Sequence, residues 1–563
     1  MLLGAMMLTV AGCDSCSKKT TDASDASAPA GEGGSGVAVS LESVAGPIPT
    51  VGKLAASTPM AVECKSAGQS VSPTIFGIAF ADADADLGAT AHRWGGNTTT
   101  RYNWKLDAWN TAHDWYWQNL AIDSHEAFVA KAADKGGFAA LTIPMIGWVA
   151  KDTKSASFPV SVFGPQDKTD PDHPDFGNGM KPDGKTPIAP GDPTRTSVKF
   201  TPEDVSKWVT QIVGADRLRL KRVVYEYILD NEPGLWNSTH RDVHPQPVTY
   251  DELLERTIAY GTAIRKADPD AIIAGPAAWG WPEYNFSAKD AAEGFRLKPD
   301  RRAHGDEPLL AWYLKKLAEH EKKTGVRVLD VLDVHIYPQA EGVQGPDGKG
   351  GDGGGNTDRA TNDRRYRVTR SLWDRGYEDE SWIKEAVYLI PRMKELIAQN
   401  YPGRGLQIGE YNFGAENHPA GGVALAEALG RFALGGVNHA FYWTYPKKPQ
   451  PAYWAFRAYR NYDGHGGHFL ERIVPSSSPV GTSLYASRDE AGKKWVLVAL
   501  NFSADRPFDA SIDLRGCTTF SSIKTYVYTA GDAGFVSGEA KMDGQKLKTK
   551  LAPTSITVVE LIN

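Results

Sequence analysis

The feature that most constrains this sequence is a repeated alternation of short apolar runs with longer amphipathic stretches. Eight runs rich in β-branched and aromatic residues predict strands. Strands that alternate with helices are typical of parallel sheets, and eight such units predict an α/β fold built on a closed (β/α)8 barrel. The predicted strands are Ile75–Phe80, His92–Gly95, Leu141–Ile146, Val223–Leu229, Ala271–Gly275, Val331–Tyr337, Leu406–Tyr411 and Ala440–Trp443.

Helix-like stretches lie between these runs, and two of them begin with capping signals. Thr201 precedes Pro202 and two acidic residues, and Thr249 precedes a similar acidic start. Two long insertions, residues 162–200 and 340–363, follow predicted strands, which places them on the face where barrel active sites are built. The predicted helices are 124–136, 203–215, 251–266, 308–324, 382–399 and 423–435.

The pattern changes near residue 465, where short alternating runs replace the helical periods. Closely spaced strands of this kind predict a β-sandwich over residues 466–563, after a barrel over residues 73–465. We expect residues 46–72, which precede the first barrel strand, to lend a strand to the sandwich. The predicted sandwich strands are Ser483–Arg488, Lys494–Asn501, Phe508–Leu514, Ser522–Tyr528 and Ser555–Leu561.

The N-terminus is interpreted as a targeting signal. Residues 1–12 are apolar or small and predict a lipoprotein signal peptide, because Val10-Ala11-Gly12-Cys13 resembles a bacterial lipobox with Cys13 as the lipidated residue. An ordinary secretory signal is the alternative. Residues 13–45 are rich in Ser, Ala, Asp and Gly and predict a disordered tether. We therefore expect an exported protein, either a cell-envelope lipoprotein that meets the membrane only through its lipid anchor or a secreted one.

Composition excludes several classes of function. The 62 basic and 68 acidic residues give a net charge of −6, which is no electrostatic footprint for nucleic acid. Four cysteines are too few for a disulfide scaffold and lack metal-site spacing. The 16 Trp and 22 Tyr residues can pack a core, but a Trp-rich neutral protein is also what a sugar-stacking cleft would look like. We expect a monomer.

Two glutamates stand at predicted strand ends. Glu232 lies in Tyr-Ile-Leu-Asp-Asn-Glu-Pro after the fourth strand, and Glu410 lies near the end of the seventh. In a closed barrel these two ends face each other across the mouth. One carboxyl can then protonate a glycosidic oxygen while the other attacks the anomeric carbon, and a separation of about 5–5.5 Å gives retention of configuration.

Other residues at strand ends suit supporting roles. Arg93 on the second strand would keep Glu410 ionised, and Asn231 can bind a sugar hydroxyl beside Glu232. His335 and Tyr337 end the sixth strand, where the phenol can bind the nucleophile and the imidazole can contact substrate. Trp443 ends the eighth strand as an aromatic floor. Further tryptophans lie in or near strand-end loops, and we expect about half of them to line the cleft: Trp94, Trp115, Trp117, Trp148, Trp236, Trp279, Trp281 and Trp373.

Several of these motifs belong to longer stretches that look like the signature of glycoside hydrolase family 44. The stretches are Arg93–Trp104, Asp114–Trp117, Asp230–Trp236, Thr369–Asp374 and Gly409–His418, and the resemblance covers roughly residues 70–563. It implies a retaining endo-β-1,4-glucanase, with a (β/α)8-type barrel and a β-sandwich, that acts on cellulose derivatives and often on xyloglucan.

The resemblance also implies roles for individual residues. Glu232 matches the acid/base and Glu410 the nucleophile. It implies no required cofactor and a candidate structural calcium whose ligands the sequence does not identify. The residues that match glucan-stacking positions, or that belong to the signature stretches as candidate substrate contacts, are Trp94, Asn97, Trp115, Tyr116, Trp236, Trp373 and Trp443.

The substrate class stays open on the sequence. A retaining barrel hydrolase of xylan, mannan or mixed-linkage glucan would use the same two carboxylates. A non-catalytic glucan-binding surface lipoprotein is an alternative of a different class, although it predicts the loss of one carboxylate and both are present. The leading hypothesis is a β-glucan hydrolase with two catalytic glutamates.

Overall fold

The computed structural model describes residues 58–344, 354–531 and 533–563. The signal peptide, Cys13 and the tether, as well as part of the glycine-rich insertion, lie outside the described residues. No described helix is both long and apolar enough to cross a bilayer.

Eight parallel strands close into a barrel, which confirms the predicted fold class. Each strand pairs with its sequence neighbours, and the eighth returns to the first through Phe441 opposite Gly77. The registers of four neighbouring strand pairs shift at local irregularities. The strands are β1 Gly77–Ala79, β2 Ala91–Trp94, β3 Phe138–Ile143, β4 Val224–Leu229, β5 Ile272–Ala278, β6 Val331–Ile336, β7 Gly405–Tyr411 and β8 His439–Tyr442.

Helices surround the barrel, and their starts follow the expected capping chemistry. Thr201 and Asp204 form a reciprocal capping box, and the Thr249 hydroxyl accepts the Glu252 N–H. The main helices are α1 His125–Asp134, α2 Pro202–Leu218, α3 Tyr250–Ala267, α4 Leu309–Thr324, α5 Arg359–Val368, α6 Leu389–Asn400, α7 Pro419–Gly435 and α8 Pro451–Arg460. Short helices are Val160–Phe163, Trp236–Thr239, Trp281–Asn285, Ala288–Ala292 and Pro299–Ala303. Single 3₁₀ turns are Pro73–Phe76, Ala85–Leu87, Asn97–Arg101, Ala112–Asp114, Pro193–Arg195, Pro233–Leu235 and Thr369–Leu372.

One of the helix predictions needs correction. The helix expected over 382–399 begins only at Leu389, because residues 379–388 form turns in which Asp379 accepts the Ser381 N–H and Tyr388 takes a positive φ. Between β1 and β2 the chain makes only the short 3₁₀ turn Ala85–Leu87 instead of a helix. Helices α5 and α8 lie in segments for which no helix was predicted.

Two antiparallel-rich sheets follow the barrel and face each other. The five-stranded sheet runs in the order Ser476–Ser477, Ala61–Val62, Phe508–Asp513, Lys546–Leu551, Ala540–Asp543. The seven-stranded sheet runs Gln69–Ser70, Arg472–Val474, Thr482–Arg488, Lys494–Asn501, Ser555–Ile562, Ser522–Tyr528, Val536–Ser537. Residues 58–72 thus supply one short strand to each sheet. Two further strand pairs lie in barrel loops: Ala108–Asn110 with Asn119–Ala121, and Trp148–Ala150 with Ser197–Lys199.

Side-chain alternation gives the seven-stranded sheet two buried faces. Trp495 and Leu497 point into the core between the two sheets, whereas Val496 and Val498 belong to the core shared with the barrel. The sheet therefore packs against barrel helices on one face and against the five-stranded sheet on the other. The five-stranded sheet is thus the outer sheet. A disulfide between Cys64 and Cys517 links it covalently to the segment that precedes the barrel.

Candidate active site

The turn after β4 presents Glu232 at the barrel mouth. Asp230 and Glu232 both adopt positive φ, at 65° and 47°, and Pro233 then opens a 3₁₀ turn. The buried Asp230 carboxylate fixes this turn, because it accepts the backbone N–H groups of Met145 and Ile146 from the loop after β3. The hydrogen bonds of Asp230 before it and the 3₁₀ turn after it hold Glu232 in the left-handed region. Residues held in such sparsely populated backbone conformations cluster at functional sites.

Glu410, the penultimate residue of β7, is buried among donors. An Arg93 guanidinium nitrogen lies 2.5 Å from Glu410 Oε1, and the Tyr337 hydroxyl donates to Oε2 at 2.7 Å. Burial alone would raise the pKa of Glu410, but the positive charges of His335 and Arg93 and these hydrogen bonds outweigh it, so the pKa is lowered. Glu410 is therefore an ionised carboxylate suited to nucleophilic attack.

Glu232 has the opposite electrostatic environment. Burial, together with the negative charge of Glu410, raises the pKa of Glu232 even though the His335 Nδ1 atom contacts Glu232 Oε1 at 2.9 Å. His335 Nδ1 also lies 3.7 Å from Glu410 Oε2, and the charges of the two glutamates raise the imidazole pKa against the effect of burial. The contacting atoms of Glu232, His335 and Glu410 all lie within 4.8 Å of one another. Two neighbouring carboxyls with pKa values pushed apart are suited to an acid and a nucleophile.

A chain of amides leads from these two residues to a third carboxyl. Asn231 accepts from Arg93 at 2.9 Å and donates to the side-chain oxygen of Asn97 at 3.2 Å. The Asn97 amide in turn donates to Asp114. Burial and the charges of Glu232 and Glu410 raise the pKa of Asp114 to about 7. Asp114 lies within a signature stretch, but sequence reasoning assigned it no role.

Two more buried carboxyls were missed. Asp333 on β6 occupies the space left by Gly409, where a Cβ would lie 2.3 Å from its Oδ1, and burial raises its pKa to about 6. Glu283 accepts the backbone N–H groups of Gly234 and Trp279, and burial raises its pKa to about 8. An inward-facing acid on β6 fits the strand pattern, whereas nothing local in the sequence marks Glu283.

The structure brings some of the expected aromatic residues to the mouth. A pocket beside Glu232 is lined by Trp279, Trp281 and Trp382, and Trp382 is 49% exposed. Trp382 falls in the segment predicted as helix, so it was not proposed. Trp115 is 44% exposed and stands edge-on to Tyr116 with ring centroids 5.1 Å apart.

Trp443 and Trp373 are both half-buried but differ in their surroundings. The Trp443 ring lies over Gly96 and packs against Phe80 with ring centroids 5.7 Å apart, at the end of β8. Trp373 packs under the Arg431 guanidinium at 3.9 Å, on the side of the barrel that meets the sandwich. Trp373 is therefore not among the residues that the structure brings to the pocket.

Trp236 and Trp94 are corrections. Trp236 is wholly buried, with the Arg256 guanidinium over its ring and His244 against its edge, so it presents no face to a sugar. Trp94 is 5% exposed and packs against Tyr102, among other aromatic rings. Both indoles serve the packing of the barrel, since Trp94 at the end of β2 and Trp236 at the start of a short helix are turned inward. Trp117 is likewise fully buried.

The described residues contain no converging group of side chains that fits the candidate calcium ion. In the described part of the chain, one group of three ligand-type residues meets, and it is the Glu232–His335–Glu410 group. Calcium prefers six to eight oxygen ligands. This group offers an imidazole nitrogen and two carboxylates that already accept hydrogen bonds from His335, Arg93 and Tyr337, so it does not fit calcium.

Comparisons with known proteins find similar sequences and similar structures. The model of glycoside hydrolase family 44 matches residues 108–340. Endoglucanase A of Paenibacillus lautus is 31% identical over 504 residues, which cover 84% of this chain and 68% of the relative. The structure of CelM2, a bifunctional glucanase-xylanase from a metagenome library, superposes with a TM-score of 0.84 at 34% identity and covers 90% of this chain and 99% of the other. A Paenibacillus polymyxa xyloglucanase solved with xyloglucan gives 0.73 at 25% identity, with the same coverage.

Proposed function

The chain belongs to glycoside hydrolase family 44, and from this premise we propose that it is a retaining endo-β-1,4-glucanase that cleaves cellulose-type glucans, xyloglucan or both. The observation that carries the proposal is the short separation of the catalytic groups: carboxylate oxygens of Glu232 and Glu410 lie within 4.8 Å. Retaining enzymes hold their carboxyls about 5–5.5 Å apart, whereas inverting enzymes need about 6.5–9.5 Å for a water.

In the first step, Glu410 attacks the anomeric carbon while Glu232 gives its proton to the leaving glycosidic oxygen. The C–O bond breaks and a glycosyl ester on Glu410 forms. Arg93 and Tyr337 hold the Glu410 carboxylate in place before attack, and the raised pKa of Glu232 keeps its proton available.

In the second step, Glu232, now a carboxylate, takes a proton from water. The water oxygen attacks the anomeric carbon and displaces Glu410, which restores both residues. Two inversions at one carbon give net retention. The chemistry uses two carboxylates and water, and no step passes through a metal.

The test is reducing-sugar release from carboxymethyl cellulose, xyloglucan, xylan and mannan by the wild type and by Glu232→Gln and Glu410→Gln. We expect cleavage of glucans and a loss of about 10³-fold or more in each variant. Glu427→Gln is the matched control, because Glu427 is equally buried but pairs with Arg431 on α7. NMR of the first-formed anomer checks retention. If no polysaccharide is cleaved, the proposal fails and the glucan-binding alternative takes its place. If glucan is cleaved but either variant keeps full activity, the assignment of this pair of glutamates is wrong.

The ranking of substrates decides specificity. A relative named as a glucanase-xylanase is 34% identical over most of this chain, so xylan is an informative arm of the same assay. If xylan or mannan is cleaved faster than every glucan, the glucanase assignment is replaced by that activity with the same two catalytic residues.

We also propose export and anchoring through Cys13, which rests on the lipobox resemblance alone. Mass spectrometry of the mature N-terminus is the test. A diacylglyceryl-modified residue 13 supports anchoring, and an unmodified N-terminus beyond residue 13 assigns a secretory signal instead.

A further inference from the structure

The last two residues of α2 and the connection to β4 form an exposed apolar and basic tip, residues 217–222. Its sequence is Arg-Leu-Arg-Leu-Lys-Arg. Leu218 is 89% exposed and Leu220 is 94% exposed, more than any other large hydrophobic side chain in the described ranges, where Val480 follows at 57%. Leu220 also has a positive φ of 54°, which is uncommon for a bulky residue. The backbone therefore projects both leucines into solvent.

The cations of the tip divide into paired and unpaired sets. Arg219 pairs with Asp216 at 3.1 Å, and Arg222 pairs with the buried Asp268 at 2.8 Å. Arg217 and Lys221 are exposed and form no ion pair with any residue that the structure describes. The groove that Arg217 and Lys221 line also contains the exposed Asp270, beside the already paired Asp216 and Asp268. The two exposed leucines therefore lie, in sequence, between two cationic side chains without an ion pair among the described residues.

We propose that this tip contacts the surface of an anionic phospholipid bilayer. Leucines enter the interfacial apolar zone, and juxtaposed Lys and Arg side chains attract anionic headgroups. Charge favours an anionic surface over a second copy of the chain. A twofold contact would pair the same patch on both copies, so the positive charges of Arg217 and Lys221 would meet those of the other copy. The tip precedes β4 and Glu232 follows it, so a molecule that rests on this tip turns its cleft away from the membrane.

Vesicle binding tests this proposal on the chain from residue 14, which keeps every described element and lacks the acylated cysteine. We expect binding to phosphatidylglycerol–phosphatidylcholine vesicles and at least about tenfold weaker binding to phosphatidylcholine alone or in 0.5 M salt. Leu218→Ser/Leu220→Ser and Arg217→Gln/Lys221→Gln should each weaken binding about tenfold. Val480→Ser is the control and should bind like the parent.

Results of two kinds, in vesicle binding and in self-association, would overturn the assignment. One is a parent that fails to bind anionic vesicles, or leucine variants that bind as well as the parent. The other is a concentration-dependent dimer in sedimentation velocity that Leu218→Ser/Leu220→Ser dissociates, which would assign the tip to a second copy. Hydrolysis of soluble glucan should be the same in every variant, since the tip lies at the opposite end of the barrel from Glu232.

A second inference comes from the short helix Trp281–Asn285 after β5. Glu283 on this helix is 2% exposed and forms no ion pair with the residues described. Its two oxygens accept the Gly234 and Trp279 N–H groups, both at 2.8 Å. The fit is tight, because a Cβ at Gly234 would lie 2.6 Å from the Glu283 carboxyl. Burying a carboxyl group without a cationic partner is costly, so its presence at this position calls for a reason.

The reason lies in what the helix holds. Gly234 is two residues beyond Glu232, and the Tyr284 hydroxyl donates to the carbonyl of His335, whose ring contacts Glu232. We infer that Glu283 is a positioning residue for the proton donor: it holds Glu232 in place on the wall of the pocket that Trp279 and Trp281 line. This inference rests on the proposed two-glutamate mechanism.

Substrates with different leaving groups separate positioning from stability. A glucan needs a proton on its leaving oxygen, whereas 2,4-dinitrophenyl β-cellobioside does not. For Glu283→Gln we expect kcat/KM on glucan to fall at least about tenfold and on the aryl glycoside less than about threefold. Tyr284→Phe removes the other anchor and should show the same selectivity.

Asp216→Asn is the matched control, since Asp216 accepts the Val223 and Val224 N–H groups at the far end of β4. It should change both substrates by the same factor. If Glu283→Gln lowers both substrates equally, or neither, Glu283 is structural and the inference is wrong. A wild type that cleaves neither substrate would instead refute the proposed function, so the two failures are distinguishable.

Discussion

Arg93 is the residue whose replacement most directly tests the electrostatics of the nucleophile. Glu410 must be ionised to attack, so kcat/KM falls as the pH falls through its pKa. Arg93→Met removes a charge that lowers this pKa, so the acidic limb of the pH profile should move to higher pH while the rate falls about 10²-fold or more. The pH dependence of kcat/KM on a soluble glucan measures the shift.

Arg101→Met is the control for loss of a buried arginine. Arg101 is fully buried and pairs with Asp242 at 3.0 Å, outside the catalytic group. It should lower the thermal midpoint without moving the acidic limb. An Arg93→Met profile whose acidic limb stays in place, or moves to lower pH, would contradict the role given to the guanidinium.

Gly96 makes room for the aromatic floor. It has a φ of 93°, and a Cβ there would lie 2.6 Å from the Trp443 ring. Gly96→Ala should displace the indole and raise KM for glucan several-fold, on the order of the loss of one stacking contact. Gly136→Ala is matched in its positive φ of 72° but meets open space, so its KM should not change. Equal KM values for the two variants would remove Trp443 from the substrate site.

At the residue scale, the sequence predicted which residues lie near the barrel rim more reliably than the direction in which their side chains point. Glu232, Glu410, Arg93 and Tyr337 could be placed together because strand ends converge at one rim of a barrel. Trp236 could not be assigned correctly, because a loop residue near the rim can turn either into the core or toward substrate. That choice depends on Arg256 and His244, which reach it from distant segments.

At the element scale, helix starts carry local signals that can be tested singly. In α2, the Thr201 hydroxyl accepts the Asp204 N–H, and the Asp204 carboxylate accepts the Thr201 N–H. Thr201→Ala should lower the free energy of unfolding by about 1 kcal/mol and the thermal midpoint by about 1–3 °C. Differential scanning calorimetry measures the shift.

Thr210→Ala in the same helix is the control, since its hydroxyl only bonds back to the Ser206 carbonyl. It should leave the thermal midpoint unchanged or slightly raised, because alanine is the better helix former. A Thr201→Ser variant should keep most of the stability. If the Thr201→Ala and Thr210→Ala variants have the same thermal midpoint, the capping box does not stabilise this helix measurably.

Element boundaries without such signals were harder to predict. The segment before α6 has an amphipathic pattern, yet it folds into turns up to Tyr388. The Asp379 carboxylate there accepts from both Ser371 and Ser381, which satisfies the backbone without a helix. The same turns bring Trp382 to the pocket, so the misread boundary hid an aromatic residue beside the cleft.

At the scale of the whole molecule, alternation along the chain predicted the barrel and the two-layer β unit, because these patterns are local. Pairings between distant segments have no local pattern. The two-residue strand Ala61–Val62 sits between Ser476–Ser477 and Phe508–Asp513, although hundreds of residues separate them. The sequence indicated that residues 46–72 could join the sandwich but not where they would pair.

The Cys64–Cys517 bond fixes this distant pairing and supports the last prediction. It joins residues 453 positions apart, so in the unfolded chain it would close a loop that contains the entire barrel. Cys64→Ser/Cys517→Ser should lower the free energy of unfolding by about 2–5 kcal/mol, seen as a lower midpoint in calorimetry under oxidising conditions. Because the seven-stranded sheet packs directly on the barrel, the barrel and the sandwich should still melt together. Under reducing conditions the wild type should melt like the variant, whereas an oxidised variant as stable as the wild type would show that packing alone holds the outer sheet.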